Sequence, residues 1–178
     1  VPYNVLWRTG ANRNTLITFS HDVVISGQPL SKGTYALYTT PNKDAWMVYF
    51  YNKTDNWGTP AQWDEEQISL SVRAEVQDVS HTESFRISIE NITLDTADLL
   101  LAWGKTAIQL PIVFPTSKIM ESNLSKMNVD TASANDLYTA AVYYFNNDKD
   151  LQKAKEWITK AVALRDDAFW FYRQKSLI

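Results

Sequence analysis

Gly33-Thr34-Tyr35-Ala36-Leu37-Tyr38, a break at Pro41-Asn42, then Trp46-Met47-Val48-Tyr49-Phe50-Tyr51: this stretch decides the fold of the 178-residue chain. Both runs are rich in aromatic and β-branched residues, and the break between them is turn-like in composition, so the pair reads as an antiparallel hairpin. Working outward, the same strand-like spacing holds from residue 15 to 114. On the N-terminal side lie Thr15-Leu16-Ile17-Thr18-Phe19 and Val23-Val24-Ile25, the latter running into Ser26-Gly27-Gln28-Pro29, a turn by composition. On the C-terminal side, Ile68-Ser69-Leu70-Ser71-Val72 alternates strictly and can continue to Val79, and Ser84 to Ile89 does the same. Asp98 to Trp103 and Ala107 to Phe114 read as a hairpin around Gly104-Lys105. Seven or eight strands with no helix between them predict an antiparallel β-sandwich or partly open barrel over residues 1–114.

After Pro115 the apolar period changes. Thr116-Ser117 are placed to cap a helix reaching about Met127, and Ser133 or Asn135 opens a second helix with Leu137, Ala141, Tyr144 and Phe145 on one stripe. Leu151, Ala154, Ile158, Ala161 and Val162 line a third, and a fourth begins at Ala168. Ala154, Ile158 and Ala161 have the small-large-small spacing of a tetratricopeptide second helix, and Tyr138 and Tyr172 lie about one ~34-residue repeat apart. Residues 115–178 are therefore expected to form a helical appendage containing a hairpin that resembles a truncated tetratricopeptide repeat.

Composition narrows the function. A net charge of −3 leaves no basic footprint for nucleic acid. No apolar run reaches the ~20 residues of a membrane helix. With no cysteine there is neither disulfide nor thiolate chemistry in this segment. The chain opens at Val1-Pro2-Tyr3 without Met and stops at Lys175-Ser176-Leu177-Ile178 without a helix-stop signal, and is read as part of a longer protein.

The chemistry-bearing residues are few. His21 and His81 fall in expected turns, and Ser20-His21-Asp22 is too local for a triad, which is assembled from distant positions. No metal-ligand spacing is present, and no metal or cofactor is expected. Asp64-Glu65-Glu66 reads as a solvated run before a strand. Asn52 to Gly58 fails as a calcium loop because Lys53 stands where the first carboxylate belongs. What remains is aromatic: Trp7, Trp46, Trp57, Trp63 and Trp103 all lie in the β half. Trp46 and Trp103 alternate with core residues and are expected inside. Trp57 and Trp63 flank Gly58-Thr59-Pro60, where a Trp either offers a stacking platform to a sugar or folds back as a lid. In the segment Trp7-Arg8-Thr9-Gly10-Ala11-Asn12, Arg8 offers a donor fork suited to carboxylate or phosphate, or ties its own loop to carbonyls. The candidate ligand-binding residues are thus Arg8, Asn12, Asp55, Trp57 and Trp63.

These motifs carry a resemblance. Val1-Pro2-Tyr3 through Asn12, Leu30-Ser31-Lys32-Gly33-Thr34-Tyr35, Trp46 to Tyr51, Asn56-Trp57-Gly58 and Ala102-Trp103 together resemble an uncharacterised family, domain of unknown function 2911, over residues 1 to about 114. The resemblance implies an exported bacterial protein, periplasmic or extracellular, with a helical, repeat-like tail. Family members carry further strand sequence before the Val-Pro-Tyr segment, with a basic, glycine-containing motif of its own. That motif is missing here, so the sheet is expected to lack a strand. The family carries no established activity. Asp95-Thr96-Ala97 and Asp130-Thr131-Ala132 match a short O-glycosylation pattern of some such bacteria.

The expected function is a non-catalytic binding or scaffolding module of the periplasm or cell envelope, with an envelope glycan or a protein as partner. The alternative is a hydrolase of cell-surface carbohydrate or ester, which requires Arg8, Asp55, Asp64 and Glu65 to converge on one cleft.

Overall fold

The computed structural model describes residues 1–178 and divides the chain into two compact units, Val1–Ser117 and Lys118–Ile178. The first holds seven strands: β1 (Thr15–Phe19), β2 (Val23–Ile25), β3 (Gln28–Leu30), β4 (Gly33–Thr40), β5 (Ala45–Tyr51), β6 (Ile68–Glu90) and β7 (Thr96–Val113). They form one antiparallel sheet in the order β1-β4-β5-β6-β7-β2-β3, and the sheet is not closed. The β4–β5 hairpin lies inside it, with Leu37 opposite Phe50 and Tyr38 opposite Tyr49.

Alternation along this hairpin places side chains on two faces, and both are covered. Tyr35, Leu37, Trp46, Val48 and Phe50 join the main core, where they meet Val23, Ile25, Leu99, Leu101, Ile108 and Leu110. On the opposite face Ala36, Tyr38 and Tyr51 are buried under Leu6, Tyr49, Trp63 and Ile68. This explains why Tyr35 to Thr39 are buried without interruption.

Several boundaries differ from expectation. Residues 68–79 and 84–89 belong to one strand, β6, whose first third pairs with β5 and whose remainder pairs with β7. The hairpin expected at Gly104-Lys105 is absent, because β7 runs straight through it. From Asp78 to Thr82 and again from Thr82 to Arg86, β6 advances four residues while β7 advances two. Gly104, at φ 62°, takes a left-handed conformation opposite Thr82. The glycine therefore accommodates an irregularity in the ladder rather than a reversal of the chain. His81, expected in a turn, lies in β6. The turn expected over Ser26–Pro29 is shorter. Ser26 and Gly27 alone reverse the chain, both with positive φ as a tight hairpin requires, and Gln28–Leu30 form the sheet edge. Pro29 is tolerated there because an edge strand leaves one row of backbone groups unpaired.

The helices are α1 (Thr116–Lys126), α2 (Ala134–Asn146), α3 (Leu151–Leu164) and α4 (Phe169–Leu177). The side chain that caps α1 is not the expected Thr116 or Ser117. Asp95 Oδ1 accepts from the Ser117 amide at 2.7 Å, and Oδ2 accepts from its hydroxyl. Ser133 and Asp136 close a capping box on α2, and Asp150 caps α3. In the second unit Leu137, Ala141, Trp157, Ile158, Ala161 and Phe171 form the core. Leu151, expected on the buried stripe of α3, is exposed, and Trp157 is buried instead. Tyr138 stacks on Phe171 at 4.5 Å, whereas Tyr172 points to solvent.

Candidate functional site

The segment before β1 is a strap laid along the end of β4. Trp7 and Thr39 exchange both backbone hydrogen bonds (2.8 and 2.9 Å), and the Asn4 amide donates to Pro41 O. Asn4, Thr9 and Asn12 all adopt left-handed φ, at 61°, 55° and 63°. For a β-branched residue such as Thr9 this conformation costs roughly 1–3 kcal/mol and persists only where the surroundings impose it. Here they do. Thr9 is fully buried, its hydroxyl donates to Thr39 Oγ1, and its carbonyl accepts from Thr15 Oγ1 at 2.8 Å. Gly10 fits because a Cβ there would stand 2.8 Å from that same Thr15 oxygen.

The strap fixes Trp7, whose indole N–H donates to Gly10 O. Its ring meets Phe85 edge-on at 4.8 Å, Trp46 edge-on at 6.4 Å and Trp103 in a stack at 6.1 Å. Trp46 is buried as expected, and its Nε1 has no hydrogen-bond acceptor. Trp103, expected inside, is 41% exposed and bonds to Glu83 O through its indole N–H. The irregular ladder beside Gly104 leaves that part of β7 short of cover.

Trp46 lines two clefts. One, of about 270 Å³, is lined by Asn4, Asn42, Asp44 and Arg73 together with Thr40, Ala45 and Met47. Its polar groups are partly engaged already: Asn42 Nδ2 donates to Asn4 Oδ1 at 2.7 Å, and Arg73 donates to the Glu75 carboxylate. The other, of about 180 Å³, is lined by Val1, Tyr3, Trp7, Pro41, Trp103 and Thr106. A polar cleft and an aromatic one thus flank the β4–β5 turn, the first beside Thr40, Met47 and Arg73 and the second on the opposite face beside the Trp46 ring. Sequence reasoning singled out Trp7 and Trp46 but missed the clefts, because their walls run from Asn4 to Arg73 in one and from Val1 to Thr106 in the other.

The five residues expected to bind ligand do not line these clefts. Arg8 is half-buried, and its Nε has no hydrogen-bond partner, so the expected tether to carbonyls is not formed through that atom. Asn12 and Asp55 are exposed, and Trp57 is 76% exposed. Their two loops are pinned together: buried Asn14 donates to Thr54 O and to the Tyr38 hydroxyl, and that hydroxyl donates to Gly58 O. Trp63 is the lid rather than a platform, stacked on Tyr51 at 4.5 Å with Tyr38 and Tyr49 at its edges. Of the carboxylates required by a hydrolase, Asp64 pairs with Lys53 and caps the 3₁₀ turn Glu65–Gln67, and Glu65 is exposed.

Fold and clefts together define an open antiparallel β unit with a polar and an aromatic cleft beside one turn, followed by a helical unit. The family is then plain: residues 1–112 match the model described as a protein of unknown function (DUF2911), and the chain belongs to that family. Neither curated proteins nor solved structures gave a match. No helix is long and apolar enough to cross a membrane.

Proposed function

We propose that the chain is a non-catalytic binding or scaffolding module of the bacterial periplasm or cell envelope, with its ligand site in the clefts around Trp46. The observation that carries this reading is the strap. Three left-handed residues and a set of buried hydrogen bonds hold Trp7 and Asn4 at the rims of two recesses. Backbone strain of the kind Thr9 carries clusters at functional sites. The envelope location rests on the resemblance to exported proteins. The helical unit, read as tetratricopeptide-like, is proposed to meet a protein partner, since such helices present surfaces to peptides.

Trp7 and Trp103 report on the site through their fluorescence. Titration of the full chain with envelope glycans and peptides is expected to give a saturable change for one class. A flat response to every glycan and peptide would overturn the reading.

A further inference from the structure

At the edge of β4 the strap and β1 leave polar groups that nothing in the chain satisfies. Trp7 pairs with Thr39 and Thr15 with Leu37, so Arg8 and Asn14 are the two ends of one loop, both beside Tyr38. Across the neck of that loop the Thr15 hydroxyl reaches the Thr9 carbonyl at 2.8 Å. Trp7 and Ile17 pack on the main core, and alternation turns Arg8 and Asn14 to the opposite face, where Asn14 Nδ2 meets the Tyr38 hydroxyl. Asn14 is only 4% exposed, yet its Oδ1 accepts from nothing. The Arg8 Nε is buried and donates to nothing, and its terminal nitrogens, which are not sealed off in the same way, form neither hydrogen bond nor ion pair. An idle donor and an idle acceptor on one face of one loop neck are what a ligand carrying an acceptor beside a donor would satisfy. We infer that Arg8, Asn14 and Trp57 form a site for a carboxylate-bearing sugar, separate from the clefts around Trp46, whose walls contain none of the three.

The idle groups set the chemistry. Arg8 presents a planar cationic fork, the geometry that suits a carboxylate. Residues 8–14 and 54–58 carry two arginines, Arg8 and Arg13, against one acid, Asp55, and this balance favours an anion. Asn14 Oδ1 can only accept, so the group next to the anion must donate, as a sugar hydroxyl does. The 54–58 segment is fastened to the same place: Asn14 Nδ2 donates to Thr54 O at 3.4 Å, and the Tyr38 hydroxyl donates to Gly58 O at 3.3 Å. Trp57 lies between those anchors and is 76% exposed, an apolar surface that suits the C–H face of a pyranose. An acidic peptide side chain has no such face to lay on the ring, and inorganic phosphate has no use for it. The bonds that fasten the segment, with the 3.5 Å contact of Asn14 to Tyr38, are all at the long end of the hydrogen-bond range. Bonds of that length yield readily, which lets a ligand reach the buried Nε and Oδ1.

The test is calorimetry on the full chain with four probes: a short galacturonic acid oligosaccharide, its neutral galactose counterpart, inorganic phosphate and a glutamate-rich peptide. The acidic sugar is expected to bind at least tenfold more tightly than the neutral one, and to weaken as salt is added. Arg8→Gln is expected to lower its affinity at least tenfold, and Trp57→Ala several-fold. Circular dichroism on each variant separates loss of site from loss of fold, and the exposed Trp57 carries the test if Arg8→Gln does not fold. Equal binding of the acidic and neutral sugars would overturn the assignment. So would phosphate or the peptide binding as tightly as the acidic sugar. Acidic-sugar binding kept in Arg8→Gln but lost in Trp103→Ala would move the site to the aromatic cleft and overturn the role of Arg8. Silence from all four probes would overturn the inference, and a ligand found in the wider titration at the Trp46 clefts would still sustain the binding module.

Discussion

Residues 1–14 and loop 52–67 both lay a tryptophan against the same strand pair, and the results are opposite. Trp63 stacks flat on Tyr51 and is hemmed by Tyr38 and Tyr49, so its loop covers Ala36, Tyr38 and Tyr51 on one face of the hairpin. Trp7 touches Trp46, Phe85 and Trp103 mostly edge-on, and beside Trp7, Trp46 and Trp103 a cleft stays open. The loop closes because Asp64 caps a short turn and its amide reaches the Tyr51 hydroxyl, which draws Trp63 inward. The strap holds its tryptophan through backbone bonds to Thr39 and left-handed residues, a framework that positions the ring without filling the space around it. Aromatic content alone therefore does not separate a lid from a recess. The backbone that carries the ring does.

The largest expected effect is on the closed side. Trp63→Ala removes a ring packed against three tyrosines and is expected to destabilise the protein by about 3–5 kcal/mol in urea unfolding. A loss below ~1 kcal/mol would mean the lid is as dispensable as an exposed loop. On the strap, Gly10→Ala drives a Cβ into Thr15 Oγ1 and is expected to cost about 1–3 kcal/mol. In a Thr15→Ala background that oxygen is gone, and the additional cost of Gly10→Ala should fall by more than half. Equal costs in the two backgrounds would show the clash is not what makes glycine necessary.

A smaller effect is expected at the floor of the clefts. Trp46→Phe deletes an indole N–H that has no acceptor, so its cost should be that of lost packing alone, about 1–2 kcal/mol. A larger loss would indicate a partner for that N–H, such as ordered water.

How far this contrast was legible in the sequence depends on the range of the contacts. The β4–β5 hairpin was readable because its signal is local: alternating aromatics, then Pro41-Asn42. The start of α2 at Ser133 was readable for the same reason, whereas the Asp150 cap of α3 went unread. Gly104-Lys105 misled because a left-handed glycine serves a reversal or an irregular ladder equally, and only the partner strand decides between them. Thr9-Gly10 signalled an irregular segment, but its partner Thr39 lies thirty residues on, and nothing local announces it. The candidate site failed likewise: loop residues such as Trp57 and Asp55 were visible as polar-aromatic clusters, whereas the clefts need Tyr3, Asn42, Arg73 and Trp103 to be brought together by the sheet.

The smallest effects lie in the helical unit, at its charged surface pairs. Lys160 donates a hydrogen bond to Asp130 and holds its carboxyl below the usual range. A depressed acid contributes stability that is present above its unfolded pKa and is lost as pH falls through the folded one. Glu121 accepts from Lys149 and holds that amine above its usual range, so its contribution is present below the unfolded pKa and is lost as pH rises through the folded one. Both pairs are solvent-exposed, so Lys160→Ala should return the Asp130 titration toward the ordinary carboxylate range in an NMR pH series while leaving the melting temperature nearly unchanged. A large drop in melting temperature would make this surface pair a structural tie.

The double pairing of β6 has a temporal consequence. Its later two-thirds and β7 are joined by a tight connection at Asn91–Asp95, so that ribbon is assembled from near neighbours along the chain. The β2–β7 ladder, by contrast, joins Val24 to Val113, nearly opposite ends of the unit, and cannot form until the intervening chain is ordered. Closure entropy then predicts that the β2–β3 edge joins the sheet late. The same edge, only three residues wide in each strand, is where amide protons should first escape to solvent when the native unit opens.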